Sequence, residues 1–272
     1  MSIRPPLYLA PLLSLFAAAG ERAYPVGGCV RDALLGAEPN DWDVAVTTPP
    51  EVTTQLCEDA GYRVIPTGIK HGTVTVLLPR PDGTRVPVEC TTCRTEGSYT
   101  DGRHPDAVAF TGLIEDDLSR RDFTVNAMAF NPAVGYIDPY GGQSDLFGRT
   151  LRAVGDPQKR FTEDALRILR GVRFAVRFGL TVDPATEKAM FAQASLMDNL
   201  ARERVFDELC KLLPLVRADD LLRYAPILTQ VVPELAPTVG FDQHSPHHAF
   251  DVFTHTAHVT ENVPATLPLR WA

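Results

Sequence analysis

The sequence contains no apolar run long enough to cross a bilayer. The longest, Leu7 to Ala19, holds 13 residues and is broken by Pro11, whereas a spanning helix takes roughly 20. Only Arg4 precedes it as a charged leader, too little for a signal peptide. A non-membrane, cytoplasmic protein is expected. Cysteine is scarce: five residues, an odd number, at 29, 57, 90, 93 and 210. That spacing excludes a disulfide framework and points to a reducing compartment. Cys90 and Cys93 form a lone CxxC without the second pair or nearby histidine that a zinc site needs. An overall excess of positive charge is also missing, since the net charge is −8. No internal repeat or low-complexity tract is present.

What is present suffices for a folded enzyme. The 272 residues exceed one typical domain, and 44% hydrophobic with 22% charged residues is ordinary for a globular chain. Charge is unevenly spread. Between Arg149 and Arg177 eight basic residues face three acidic ones, a surplus of five suited to phosphates.

Residues 1–20 read as a helix closed by Gly20. Ala23–Val26 reads as a strand entering Gly27-Gly28, followed by a helix over 30–35, a strand over 43–46 and a helix opened by Thr48-Pro49-Pro50. Strands over 73–78 and 85–91 flank Pro81-Asp82-Gly83, a hairpin turn signal. Residues 95–107, polar and rich in Gly, Asp and Thr, are expected to form a mobile loop over a site. A helix is expected from about 115 to 130, then a strand and turn over 136–142. Beyond Leu146 strand signals fade, and helices are expected over 161–178, 184–194 and 202–213. The fold class expected is α+β, with a head at 1–148, a helical neck at 149–215 and the start of a further helical body at 216–272.

Asp41 and Asp43 flank Trp42 at the start of an expected strand. Carboxylates at i and i+2 on a strand point the same way, so both can hold a hard cation such as Mg2+. Gly27-Gly28, some dozen residues earlier, lie between strand and helix, where backbone N–H groups can approach a phosphate. Arg31 could clamp the same phosphate. A carboxylate pair beside a phosphate cradle suggests two-metal nucleotidyl transfer. Glu89 is the candidate third carboxylate.

These residues resemble the class II tRNA nucleotidyltransferases (CCA-adding enzymes) and bacterial poly(A) polymerases, within the polymerase-β-like superfamily. Gly27 to Gly36 followed by Asn40-Asp41-Trp42-Asp43 is similar to the family's first motif. Arg120-Arg121-Asp122-Phe123-Thr124-Val125-Asn126 resembles its ribose- and phosphate-contacting motif, and Glu163-Asp164-Ala165-Leu166-Arg167 through Phe174 its base-selecting motif. The resemblance implies a polymerase-β-like head, Mg2+ on Asp41 and Asp43, Arg120 or Arg121 on the triphosphate, and Asp122 on the ribose. It implies Asp164 and Arg167 on the base, with Arg170 and Arg173 nearer the phosphates or structural. Asn126 is expected to be structural. ATP, CTP and the 3′ end of tRNA are the implied partners, and CCA addition the implied activity. CC-only or A-only addition, poly(A) synthesis, or a silent RNA-binding module are the alternatives.

The base-selecting chemistry follows from hydrogen-bond inventory. Cytosine and adenine both present an exocyclic amine beside a ring-nitrogen acceptor, so a carboxylate can accept from the one and an arginine donate to the other. Uracil and guanine present a carbonyl beside an N–H and meet the wrong partner at each point. Finally, His244, His247, His248, His255 and His258 cluster near the end. The segment His244–Thr256 resembles the opening of an HD phosphohydrolase-type domain. The adjacent His-Asp pair of such domains does not occur before Ala272, so the chain is expected to be a piece of a longer protein without a complete HD metal site.

Overall fold

A computed structural model describes residues 3–97, 107–245 and 247–272. The expected loop tip, with Tyr99 to Pro105, lies outside them. The chain divides into two compact units that meet in sequence at Gly148 and Arg149.

The first unit is α+β. Its elements are α1 (Ala10–Ala18), β1 (Ala23–Pro25), α2 (Gly28–Leu34), β2 (Val44–Val46), α3 (Pro50–Asp59), β3 (Arg63–Gly68), β4 (Thr73–Pro79) and β5 (Arg85–Thr92). The strands form one sheet in the order β1-β2-β5-β4-β3. All of its pairings are antiparallel except β2 with β5, which run parallel with Val44 opposite Cys90. All three β2 side chains are buried, as befits a central strand covered on both faces. Leu12 and Phe16 of α1 are fully buried in the same core. Each such side chain stabilises the fold by roughly 1.5–3 kcal/mol relative to exposure.

The β4–β5 hairpin follows the turn chemistry read from the sequence. Asp82 accepts from the Thr84 N–H at 2.9 Å and from its hydroxyl at 2.6 Å, an Asx-type closure. The strand β3 was not expected, because its exposed and half-buried positions lack period-two alternation.

Further on come β6 (Arg94–Glu96), β7 (Val108–Phe110), α4 (Ile114–Ser119), β8 (Ala129–Asn131), β9 (Gly135–Ile137) and α5 (Gly142–Phe147). Two expectations need correcting. The described ends of the 95–107 segment are not loop throughout, since β6 pairs antiparallel with β7, Glu96 opposite Val108. The helix expected over 115–130 ends at Ser119. Residues 122 to 130 are all buried, so that stretch has no solvent face on which an amphipathic helix could rest. It forms a short 3-10 turn at Thr124–Asn126 and then β8.

The second unit holds β10 (Thr150–Leu151), α6 (Pro157–Glu163), α7 (Leu166–Phe178), β11 (Thr181–Val182), α8 (Pro184–Ala192), α9 (Arg202–Leu212), α10 (Ala218–Arg223), α11 (Ala225–Val231), α12 (Val252–Asn262) and α13 (Leu267–Trp271). The single helix expected over 161–178 is two helices. Asp164 leaves helical geometry at φ −149°, ψ 104°, although neither Pro nor Gly marks the break. Helix α7 buries Ile168, Leu169 and Val172 on one side, the apolar stripe expected of a core-facing helix.

Candidate active site

In the head, Trp42 is buried while Asp41 and Asp43 on either side are exposed. The alternation expected of the pair therefore holds, although β2 proper begins one residue later, at Val44. The parallel register explains the third carboxylate. Asp43 precedes Val44 and Glu89 precedes Cys90, and Val44 and Cys90 are partners. Asp43 and Glu89 thus occupy matching positions on one face of adjacent strands.

Asp43 remains accessible, yet enough protein surrounds its carboxyl for desolvation to push its pKa above the usual carboxylate value. Glu89 and Asp41 push it the same way, and Arg121 partly opposes them. Like charges gathered without a counter-ion disfavour ionisation. A hard divalent cation would relieve this repulsion, so the oxygen donors present fit Mg2+. Among the described residues no three His, Cys, Asp or Glu side chains form an assembled metal centre.

Gly27 joins β1 to α2 at φ +78°, ψ −126°, a conformation essentially confined to glycine. A Cβ there would run into the guanidinium of Arg121. The turn is tied down by Val26 N–H to Asp43 O at 3.0 Å and Gly27 N–H to Met128 O at 2.9 Å. Gly28 opens α2, a helix of only seven residues, so its dipole is a minor contributor beside Arg121.

The two arginines of the second motif differ in setting. Arg120 is held on both sides, by Asp117 at 2.6 Å and Glu96 at 2.7 Å. Arg121 gives Nη2 to Asp117 at 3.0 Å, and its Nε is buried with no hydrogen-bond partner among the described residues. Beside both Gly27 and Asp43, Arg121 is the better placed of the two for a triphosphate. Asp117, 1% exposed, was not singled out in the sequence, although its i+3 and i+4 spacing to the arginines is legible. Burial raises its pKa, but Arg121 and Arg120 outweigh that and hold it below the usual carboxylate range.

Arg31 does not have the setting of an exposed phosphate clamp. It is buried, pairing with Asp32 at 2.7 Å and donating to the Asn126 side-chain oxygen. This fastens α2 to the 3-10 turn. Asn126 also donates to Asp122 at 3.1 Å, the structural role expected of it. Asp122 is buried and accepts the Phe123 N–H at 2.8 Å through the same oxygen. Cys90 and Cys93 are buried free thiols, and burial pushes the Cys93 thiol up to about 12.

In the second unit, Asp164 and Arg167 sit at the α6–α7 break. Asp164 Oδ1 accepts the Leu166 N–H at 3.1 Å, and Oδ2 takes Nη2 of Arg204 at 2.7 Å. Arg167 is steadied by Glu163 at 2.8 Å and the Arg160 carbonyl at 3.2 Å. Arg170 lies over the Phe174 ring at 5.2 Å. Of the two settings expected for Arg173, the structure has the structural one. It is 6% exposed and donates Nε to Glu208 of α9 at 2.5 Å. The roles of Arg204 and Glu208 carried no signal in sequence, each lying more than thirty positions from its partner.

Residues 23–152 match the Poly A polymerase head domain, and residues 179–238 a family described as the probable RNA and SrmB-binding site of polymerase A. The chain is 46% identical over 203 residues to the CCA-adding enzyme of Streptococcus suis, covering 75% of this chain and 48% of the relative. It is 42% identical over 227 residues to that of Lactiplantibacillus plantarum, covering 80% and 54%. It therefore spans about half the length of the curated relatives it matches. The structure of the Bacillus stearothermophilus CCA-adding enzyme in complex with CTP aligns with TM-score 0.70 at 32% identity, covering 98% of this chain and 60% of that one. The Thermotoga maritima CCA-adding enzyme complexed with tRNA aligns with TM-score 0.68 at 25% identity, covering 85% and 54%. With its head fold, motif order and near relatives in agreement, the chain belongs to the family of class II CCA-adding enzymes and bacterial poly(A) polymerases.

Proposed function

We propose that the chain adds CMP and AMP, from CTP and ATP and without a template, to the 3′ end of tRNA in the cytoplasm. The observation that carries this reading is the only partly compensated cluster of Asp41, Asp43 and Glu89 beside Gly27 and Arg121, where desolvation and repulsion disfavour the charge on Asp43. A protein that only bound RNA would gain nothing from that repulsion. Relatives solved with CTP, with tRNA, and with a primer tRNA and an incoming ATP analogue support the choice of substrates.

Asp41 and Asp43 would hold Mg2+, with Glu89 as the third carboxylate. When bound, the metal would supply Lewis-acid activation of the attacking 3′-hydroxyl and charge neutralisation for the departing pyrophosphate. The chain's own residues do the rest. Arg121, oriented by Asp117, pairs with triphosphate oxygens next to the glycine turn, where no Cβ intervenes. Asp164 accepts from the exocyclic amine of cytosine or adenine while Arg167, held by Glu163, donates to the ring nitrogen. Each mismatch with uracil or guanine leaves a polar group unpaired, at about 1–3 kcal/mol.

The test is incubation with tRNA lacking its 3′ end, Mg2+ and each labelled nucleotide separately. CTP and ATP are expected to be incorporated, and UTP and GTP are not. Asp43→Ala, with folding checked by circular dichroism, is expected to abolish incorporation. Retained incorporation in that variant would discard the reading.

A further inference from the structure

Asp164 stands where the backbone has left the helix, so the helix itself does not hold its side chain. Two contacts do. Oδ1 accepts the Leu166 N–H at 3.1 Å, and Oδ2 accepts from Arg204 Nη2 at 2.7 Å. The pair is largely shielded, with 16% of the Asp164 side chain and 22% of the Arg204 side chain exposed. A carboxylate anchored at both oxygens cannot turn about its own bond. Since each oxygen has two acceptor directions, the contacts leave one on each for a further donor.

Arg204 lies on α9 one turn before Glu208, and residues four apart share a helix face. Glu208 takes the buried Arg173 guanidinium of α7 at 2.5 Å. One face of α9 therefore meets α7 at a buried ion pair and the α6–α7 break at Asp164. Resting on the base-selection reading above, we propose that Arg204 is a specificity-positioning residue that fixes the Asp164 carboxylate so that it accepts an exocyclic amine and cannot swing away from a carbonyl. Rejection of uracil and guanine depends on that rigidity. A carboxylate free to rotate would avoid the repulsive approach and weaken the penalty, whereas the favourable amine contact would suffer mainly in geometry.

Arg204→Ala is the test, read as relative use of the four nucleotides on tRNA lacking its 3′ end, with KM and kcat measured separately for each. The ratio of UTP or GTP use to CTP or ATP use is expected to rise by about ten-fold, the scale of one hydrogen-bond mismatch. The KM for CTP should rise while that for UTP does not. Arg204→Lys, which keeps a cation within reach, should restore most of the discrimination. Equal losses with all four nucleotides, or a raised KM for tRNA alone, would make Arg204 a packing or RNA-contact residue and overturn the proposal. Asp164→Ala separates the two ideas. Lost discrimination there with intact discrimination in Arg204→Ala leaves the base-selection reading standing and the Arg204 proposal refuted. Intact discrimination in both refutes the two together.

Discussion

The β2–β5 pair of the head and the α7–α9 face of the helical unit treat charge in opposite ways. In the head, Asp41, Asp43 and Glu89 lie together with Arg121 as partial compensation, and the pKa of Asp43 is raised. At the α6–α7 break and along α7 and α9 each key charge has an opposite partner at hydrogen-bond distance: Asp164 with Arg204, Arg167 with Glu163, Arg173 with Glu208. A divalent cation would complete the first arrangement. The second is organised beforehand, as the proposed discrimination between bases of similar shape requires.

The comparison can be broken most forcefully at its paired end. Glu208→Gln leaves the buried Arg173 guanidinium without its counter-charge and is expected to destabilise the helical unit by about 3–5 kcal/mol, read by urea denaturation. Asp117→Asn, within the head, should cost a similar amount, because it strips two arginines of one buried carboxylate. It should also raise KM for all four nucleotides equally. The sign with pH follows from its depressed pKa. The stability Asp117 contributes is present above the unfolded carboxylate pKa and is lost as pH falls through the folded value, so the acid limb of the stability curve should flatten in the variant.

A smaller effect is expected at Gly27. Gly27→Ala must be accommodated at φ +78° and against Arg121, costing about 1–3 kcal/mol and weakening nucleotide binding. The smallest effect has the opposite sign. Asp43→Asn removes a carboxylate whose folded pKa is raised, so its ionisation destabilises the fold as pH rises through that value. The variant should melt slightly higher than the parent without metal at neutral pH, and Mg2+ should stabilise it less. A lower melting temperature would contradict the picture of mutual repulsion.

How much of this was legible in the sequence depended on the distance between partners. Asp41 and Asp43 are two residues apart, and strand alternation alone puts them on one side. The Pro81-Asp82-Gly83 turn is likewise local. Glu89 could be named as a candidate, but its position beside Asp43 depends on the parallel β2–β5 pairing, which only the assembled sheet fixes. The break at Asp164 was missed because it is made by side-chain hydrogen bonds in a stretch of good helix formers. The buried setting of Arg31 was not legible because a charged residue shortly after two glycines gives no sign that Asn126, 95 positions away, will receive it.

Asp164 also closes the first turn of α7, through its bond to the Leu166 N–H. On the proposed base-selecting role Asp164 has two duties and cannot be exchanged freely. Altering the proposed nucleotide preference there would also remove that bond, so an evolving or engineered enzyme with a new alphabet would have to change the proposed reader and repair the helix start together. Asparagine, which can keep that bond while reversing one hydrogen-bond sense with its amide, is the narrowest route out.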